Sequence, residues 1–155
     1  MKGSQAVIDY LNKQLTAELS AADQYFVHSR MYEDFGLEKI FVRLKHEAEE
    51  ELQHAADLIQ RILFLEGTPD VASRDPLMIG DNVLDMLKND LQSEYTVGAM
   101  LKEGIAICEK ENDYESREIL ERLLEDTEVD HTWWLEKQIR LVEQIGIQNY
   151  IQSQM

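Results

Sequence analysis

The chain has 155 residues, of which 44% are hydrophobic, and this length and composition suit one domain with one sizeable core. Its 31 acidic residues outnumber its 15 basic residues and give a formal net charge of -16. Such a charge disfavours nucleic acid and anionic membrane surfaces as partners and favours cations. Only 2 prolines and 7 glycines are present, too few turn signals for an all-β architecture.

The cysteine content and the hydropathy indicate the compartment. The single cysteine, Cys108, excludes an internal disulfide framework and is consistent with a reducing environment. Neither the apolar stretch of an export signal nor that of a membrane span is visible. We therefore expect a soluble, cytoplasmic protein that binds no nucleic acid and no membrane.

Glycine and proline divide the sequence into four long segments with helical periodicity. The predicted helices cover Gln5 to Phe35, Glu38 to Glu66, Asp81 to Lys110 and Tyr114 to Ile145, and a short fifth helix covers Ile147 to Gln154. Four amphipathic helices of this length predict an all-α four-helix bundle. The connection between the second and third helices is long enough to cross the whole bundle, which permits these two helices to be parallel.

Charged residues interrupt the apolar stripe of each helix, although a carboxylate is expensive to bury without a partner. The interrupting residues are Glu18, Glu51, His54, Glu94, Glu128 and His131. The fourth stripe runs through Leu120, Leu124, Glu128, His131, Leu135 and Val142. Each half of the chain therefore reads Glu and then, 33 or 34 residues later, Glu-x-x-His.

This repeated ligand order predicts a pair of metal ions. Four carboxylates and two imidazoles give each ion one terminal glutamate and one histidine, and they leave two glutamates to bridge the ions. The Glu-x-x-His spacing places both side chains on one helix face. Oxygen-rich ligands with one nitrogen per ion suit iron or manganese. Polar core groups that satisfy one another are the alternative interpretation.

Neighbouring side chains allow two interpretations each. Tyr25 either hydrogen-bonds a bridging carboxylate or donates an electron, or else it is only packed in the core. Asp90 either orients a ligand histidine or is an ordinary exposed acid. His46, with Glu50 and Glu47, forms either an ancillary cation site or a solvated helix face.

Short segments spread over the whole chain match one known family. They are the opening Met-Lys-Gly, Val7-Ile8 with Leu11-Asn12, Gln24-Tyr25-Phe26 with His28 and Arg30-Met31, Arg61 to Gly67, and Asn149 to Gln154. By these segments the chain resembles the bacterioferritins, the bacterial iron-storage members of the ferritin-like family. The resemblance implies a single ferritin-like domain over residues 1 to 155.

The resemblance also implies a function. The six residues that interrupt the stripes correspond to the family's ferroxidase ligands, at which Fe(II) is oxidised by dioxygen or hydrogen peroxide in a di-iron centre. The family stores ferric mineral in a cage of 24 subunits, places an inner-surface iron site at the positions of His46 and Glu50, and uses a ferredoxin as a partner for iron release. The alternatives are another ferritin-like di-metal enzyme, such as a peroxidase or a manganese catalase, and a non-catalytic acidic helical scaffold.

One position departs from the family pattern. Bacterioferritins bind haem b between two subunits through a methionine that directly follows the glutamate of the second helix, and here that position is Leu52. Leucine has no sulfur with which to ligate iron. Haem b is therefore not expected from this chain alone, and we predict either a haem-free homo-oligomer or a mixed cage with a haem-binding bacterioferritin subunit.

Overall fold

The computed structural model describes all 155 residues and contains helices and connections but no strands. The helices are α1 (Gln5–Asp34), α2 (Glu38–Phe64), α3 (Val83–Lys110), α4 (Tyr114–Glu125), α5 (Trp133–Ile145) and α6 (Ile147–Ser153). A π-helical segment, Asp126–Thr132, joins α4 to α5 without a break, so these three pieces form the predicted fourth helix. The all-α fold class is confirmed, with α6 as the short C-terminal helix. None of the helices is both long enough and apolar enough to span a bilayer.

Local residues account for several of the helix boundaries. Asn82 caps α3 and Asp113 caps α4, because each side chain accepts a hydrogen bond from a backbone N–H of the first helical turn. Gly146 separates α5 from α6 with a φ of 83°, a conformation that residues with a Cβ rarely adopt. Every predicted helix boundary lies within two residues of the observed one.

The order of contacts along α1 and α3 shows that these helices are antiparallel. Tyr10, early in α1, donates a hydrogen bond of 2.8 Å from its hydroxyl to the carbonyl oxygen of Met100, late in α3. Tyr32, near the end of α1, instead reaches the carbonyl oxygen of Val83 at the start of α3, at 3.5 Å. A short turn joins α1 to α2, which pack together as an antiparallel hairpin. Helices α2 and α3 therefore run in the same direction.

The connection between α2 and α3 follows α1. Near its beginning, the side-chain amide of Asn12 donates to the carbonyl oxygen of Thr68 at 3.0 Å. Near its end, the backbone N–H of Gly80 donates to Nε2 of His28 at 3.2 Å. The connection thus travels along most of the bundle, which is the crossover that the sequence predicts.

Polar side chains separate the hydrophobic core into two clusters. One cluster has 15 buried residues, among them Leu15, Leu58 and Leu101, and the other has 12, among them Leu44 and Leu87. Each long helix contributes to both clusters and changes from one to the other near its middle. The fold therefore brings the charged interruptions of the helix stripes into one layer at the middle of the bundle.

Candidate metal centre

Five of the six predicted ligands are buried together in this layer. They are Glu18 on α1, Glu51 and His54 on α2, Glu94 on α3, and His131 on the π-helical segment. None of them is more than 3% exposed. Four helices converge on one point because each helix places its charged residue on the face that is otherwise apolar.

The five side chains form two groups that share Glu51. In the first group, Nδ1 of His54 lies 3.7 Å from a carboxylate oxygen of Glu18 and 3.2 Å from one of Glu51. In the second group, Nδ1 of His131 lies 2.9 Å from the other oxygen of Glu51 and 3.3 Å from an oxygen of Glu94. Within each group the potential ligand atoms all lie within 4.8 Å of one another. The geometry suits two adjacent cations with the Glu51 carboxylate between them.

Each histidine presents Nδ1 to its group and Nε2 to an outer carboxylate. Nε2 of His54 lies 2.9 Å from an oxygen of Asp126. Nε2 of His131 lies 2.5 Å from an oxygen of Glu47 and 2.6 Å from one of Glu50. An outer carboxylate of this kind fixes the orientation of a metal-binding imidazole and selects which nitrogen faces the metal. The sequence pattern did not identify Asp126, because its spacing from any histidine along the chain is uninformative.

Burial and the crowding of carboxylates change the protonation of this layer. Burial, followed by the neighbouring charge of Glu18, raises the pKa of Glu51 well above its ordinary value. Burial lowers the pKa of His54, but its contacts with Glu18 and Glu51 outweigh that effect and raise the pKa to about 11. The pKa of His131 is raised in the same way by the carboxylates around it. The raised pKa values mean that protons and a metal would compete for the same ligand atoms.

Several atoms in the layer have no hydrogen-bond partner in the protein although they are buried. They are Oε2 of Glu18 and Oε2 of Glu94, whereas Oε1 of Glu51 and Nδ1 of His131 lie 2.9 Å apart without the angles of a hydrogen bond. A buried carboxylate oxygen without a partner is costly, and coordination to a cation removes that cost. Because these atoms belong to the same two groups, the residues present fit a pair of iron or manganese ions.

The sixth predicted ligand, Glu128, is not brought into the layer. Its side chain is 46% exposed and lies 2.8 Å from the ammonium group of Lys102. Thr127 is fully buried in its place, four residues before His131. The reason is the π-helical segment, because its wider turn brings residues four apart into line and turns the residue three before His131 towards solvent. The Glu-x-x-His inference assumed an α-helix at this point.

The neighbouring residues Tyr25 and Asp90 have different roles from each other. Tyr25 is buried, and its hydroxyl donates a hydrogen bond to Glu94 in the second group. Burial, followed by the charge of Glu94, raises the pKa of Tyr25 well above its ordinary value. Asp90 is also buried, but it contacts Nδ1 of His28 at 2.8 Å and the side-chain amide of Gln24 at 2.9 Å. Asp90 thus orients His28, which lies outside the metal cluster, and does not orient a ligand histidine. The reason is that the α3 turn before Glu94 faces the second half of α1.

His46 and Glu50 lie next to each other on α2. Nε2 of His46, which is 59% exposed, lies 2.7 Å from an oxygen of Glu50. Glu50 also contacts His131, and this contact lowers its pKa to about 2. A further acidic group beside the layer consists of Glu47, Glu50, Asp130 and His131. Within it, the guanidinium of Arg43 pairs with Glu47 and, at 2.6 Å, with Asp130.

Leu52 faces away from the centre although it follows Glu51. It is 55% exposed and lines a surface groove of about 290 Å³ together with Phe26 and Arg30. Consecutive residues of an α-helix point in different directions, so the side chain of residue 52 reaches the outside of the bundle although that of Glu51 points inward. The absence of haem stays a prediction from this position.

Comparison with known proteins shows similarity along essentially the whole chain. Residues 8–145 match the protein-family profile described as a ferritin-like domain. A protein named bacterial ferritin from Synechocystis sp. is 57% identical over 155 residues, which is 100% of this chain and 99% of that protein. A bacterial ferritin from Neisseria meningitidis serogroup A is 55% identical, with both chains covered completely. A bacterioferritin from Brucella melitensis biotype 1 is 41% identical and covers 97% of this chain and 92% of its own length.

Proposed function

The chain belongs to the ferritin-like family, and on that premise we propose that it is an iron-storage protein whose subunit oxidises Fe(II) to Fe(III). The observation that carries this proposal is the pair of buried ligand groups that share Glu51. Unpartnered carboxylate oxygens in both groups supply the negative charge and the oxygen ligands that iron requires. The proposed iron ligands are Glu18, Glu51, His54, Glu94 and His131.

The proposed reaction uses both ions at once. Glu18 and His54 hold one Fe(II), Glu94 and His131 hold the other, and Glu51 lies between them. Each Fe(II) gives up one electron, so dioxygen and two protons become hydrogen peroxide while two Fe(III) ions form. With hydrogen peroxide as the oxidant, the same two electrons and two protons yield two molecules of water. The carboxylates favour the reaction because negative charge stabilises Fe(III) more than Fe(II).

We also propose that the chain assembles into a hollow cage of 24 subunits in the cytoplasm, with a ferredoxin as the partner for iron release. The net charge of -16 per chain supports iron uptake, since a strongly acidic assembly attracts Fe(II). His46 and Glu50 are proposed as an inner-surface iron site, supported by the contact between them. Ferric mineral would then accumulate inside the cage.

The ferroxidase proposal is tested by loading the metal-free protein with Fe(II), mixing it with dioxygen in a stopped-flow instrument and following the formation of Fe(III). Glu51→Gln keeps the size of the side chain but removes the shared charge, so we expect the initial rate of Fe(III) formation to fall at least tenfold. Glu38→Gln is the matched control, because Glu38 is an exposed carboxylate on the same helix. Unchanged rapid oxidation in Glu51→Gln would refute the assignment of the centre.

The storage proposal is tested by gel filtration with metal analysis. A cage elutes at about 24 times the 18.1 kDa mass of the chain and retains iron after Fe(II) and oxygen are added. A small iron or manganese oligomer without mineral would favour a peroxidase or catalase instead. A particle that takes up no metal would favour the acidic scaffold.

A further inference from the structure

Arg43 on α2 is connected through a carboxylate to the outward nitrogen of His131. Its guanidinium contacts one oxygen of Glu47, and Nη2 lies 2.6 Å from an oxygen of Asp130. The guanidinium carbon also lies over the ring of Trp134, 4.7 Å from its centroid. Carboxylates and aromatic faces are the partners that a planar guanidinium suits best. These contacts come from α2, the π-helical segment and α5, and together they fix the position of the charge.

The carboxylates around Arg43 have the arrangement of a cation site. The potential ligand atoms of Glu47, Glu50, Asp130 and His131 all lie within 4.8 Å of one another. Carboxylate oxygens of this kind are suitable ligands for a divalent cation. The side chain of Glu47 is only 2% exposed, so its charge is costly to bury without a cation beside it. The guanidinium of Arg43 supplies that cation from within the protein.

The charge of Arg43 matters most when His131 binds a metal. A neutral imidazole that coordinates through Nδ1 has one hydrogen left to donate, on Nε2. Nε2 of His131 lies 2.5 Å from Glu47 and 2.6 Å from Glu50, so one hydrogen cannot compensate both carboxylates. Partial burial lowers the pKa of Arg43, but the charges of Glu47 and Asp130 outweigh that effect and raise it. The guanidinium therefore stays charged beside the metal-bound histidine.

We propose that Arg43 limits the metal centre to two ions, because its guanidinium occupies the position that a third cation would take beside Glu47 and Asp130. Arg43 is then a specificity-determining residue for the number of ions. A third ion in this position would compete for the imidazole of His131, which the second ligand group needs. The inference rests on the proposed function, since it concerns the two ions that this function uses.

The number of Co(II) ions bound per chain tests this inference. Co(II) serves as the probe because it accepts the same oxygen and nitrogen ligands as Fe(II). The metal-free, full-length protein is dialysed against rising concentrations of Co(II), and the bound metal is measured by elemental analysis. Arg43→Gln removes the charge and keeps a polar side chain, so we expect it to bind one more ion per chain than the unmodified protein.

Two further variants examine why the additional ion binds. Arg43→Lys keeps a positive charge at this position, so we expect it to bind the same number of ions as the unmodified protein. Arg43→Gln combined with Asp130→Asn removes a ligand of the additional ion, so this double variant should also return to the unmodified number. Arg43→Met keeps an unbranched apolar side chain against Trp134 without the charge. It should gain one ion like Arg43→Gln, and it replaces that variant if Arg43→Gln does not fold.

Arg140→Gln is the matched control, because Arg140 is exposed on α5 and lies outside the acidic group. It removes the same charge from the same acidic chain and should bind the unmodified number of ions. The proposed inner-surface site is present in every variant, since His46 contacts Oε1 of Glu50 whereas His131 contacts Oε2. That site therefore does not alter the difference between variants. A circular dichroism spectrum of each variant confirms that its helices are intact.

An unchanged or smaller number of ions in Arg43→Gln and Arg43→Met would overturn the inference. In that case Arg43 would have only a structural role, which lowers the melting temperature without adding an ion. An additional ion in Arg140→Gln or in Arg43→Lys would also overturn it, because the position or the charge of the side chain would then not matter.

The unmodified protein separates this inference from the proposed function. If it binds fewer than two Co(II) ions per chain, the proposed metal centre is refuted and this inference with it. If it binds at least two ions and Arg43→Gln gains none, the role of Arg43 alone is refuted.

Discussion

Two adjacent residues of α2 face different surroundings. Glu51 faces the interior and connects the two ligand groups, whereas Leu52, the next residue, is 55% exposed. A change at Leu52 therefore alters the outer surface of the bundle without contact to the centre. Leucine at position 52 therefore leaves the buried ligand groups unaffected.

Leucine at position 52 leads to a spectroscopic prediction. We expect the protein purified from haem-supplied cells to lack the Soret band of bis-methionine haem, because Leu52 offers no ligand to iron. Leu52→Met should introduce that band, because the resemblance to bacterioferritins implies that two subunits would then each supply one sulfur ligand from this position. Leu63→Met is the control, because Leu63 is also exposed on α2, at 58%, but is remote from the groove.

A Soret band at full stoichiometry in the unmodified protein would contradict this prediction. A Soret band in Leu63→Met as strong as the one in Leu52→Met would show that haem binding does not depend on a methionine at position 52. The rate of Fe(II) oxidation in Leu52→Met is expected to stay within about twofold of the unmodified protein, since exposed substitutions away from special features have small effects.

At the scale of helices, the sequence predicts the first three stripes correctly because they are uninterrupted α-helices. Leu15, Leu44 and Leu87 all lie in the core, and the glutamates of these stripes meet in one layer. Steps of three and four residues suffice when every turn has the same width. The antiparallel hairpins and the crossover then follow from loop length.

The predicted fourth stripe differs from the structure by one residue at two positions between Leu120 and His131. The prediction has Leu124 and Glu128 inside, whereas the structure buries Leu123 and Thr127. Both versions agree at Leu120 and again from His131 onward, and the π-helical segment lies between these two points. A π-turn has no distinctive composition, so periodicity calculated for an α-helix cannot reveal it.

The wider turn of the π-helical segment predicts that one of its residues can be deleted. Deletion of Val129, which is 64% exposed, leaves Thr127 three residues before His131. Residues three apart share a face of an α-helix, so Leu123 and the rest of α4 can stay in register. We expect the deletion protein to keep a melting temperature within about 5 °C of the unmodified protein, in line with a surface change of less than about 1 kcal/mol.

The control is deletion of Thr96, an exposed residue within the regular α-helix α3. This deletion rotates Leu101 and Cys108 by about 100° relative to Glu94 and removes them from the core. Each large apolar residue lost from a core costs about 2–5 kcal/mol, so this variant should not fold cooperatively. Thermal unfolding followed by circular dichroism compares the two deletions. An equal fall in melting temperature in both variants would show that the π-helical segment does not tolerate the loss of a residue better than a regular α-helix does.

At the scale of the whole molecule, the polar layer is a weak point until a cation occupies it. It separates two hydrophobic clusters, and its charged groups are nearly inaccessible to water. Burial and the crowding of carboxylates raise the pKa of Glu51, and contacts with carboxylates raise the pKa values of the two histidines, while several buried oxygens keep no hydrogen-bond partner. A metal pair bound as proposed would connect all four long helices, so its binding would be coupled to global stability.

This coupling predicts that metal ions raise the melting temperature. A ligand at a hundred times its dissociation constant stabilises the folded state by about 2.7 kcal/mol, which corresponds to about 5–10 °C for a domain of this size. We expect a shift of this size when Co(II) is added to the metal-free protein in differential scanning calorimetry. Glu51→Gln should lose most of the shift because it lacks the shared charge, whereas Glu38→Gln should keep it. Since both variants remove one carboxylate from α2, an equal shift in the two would mean that Co(II) acts through the acidic surface and not through the layer.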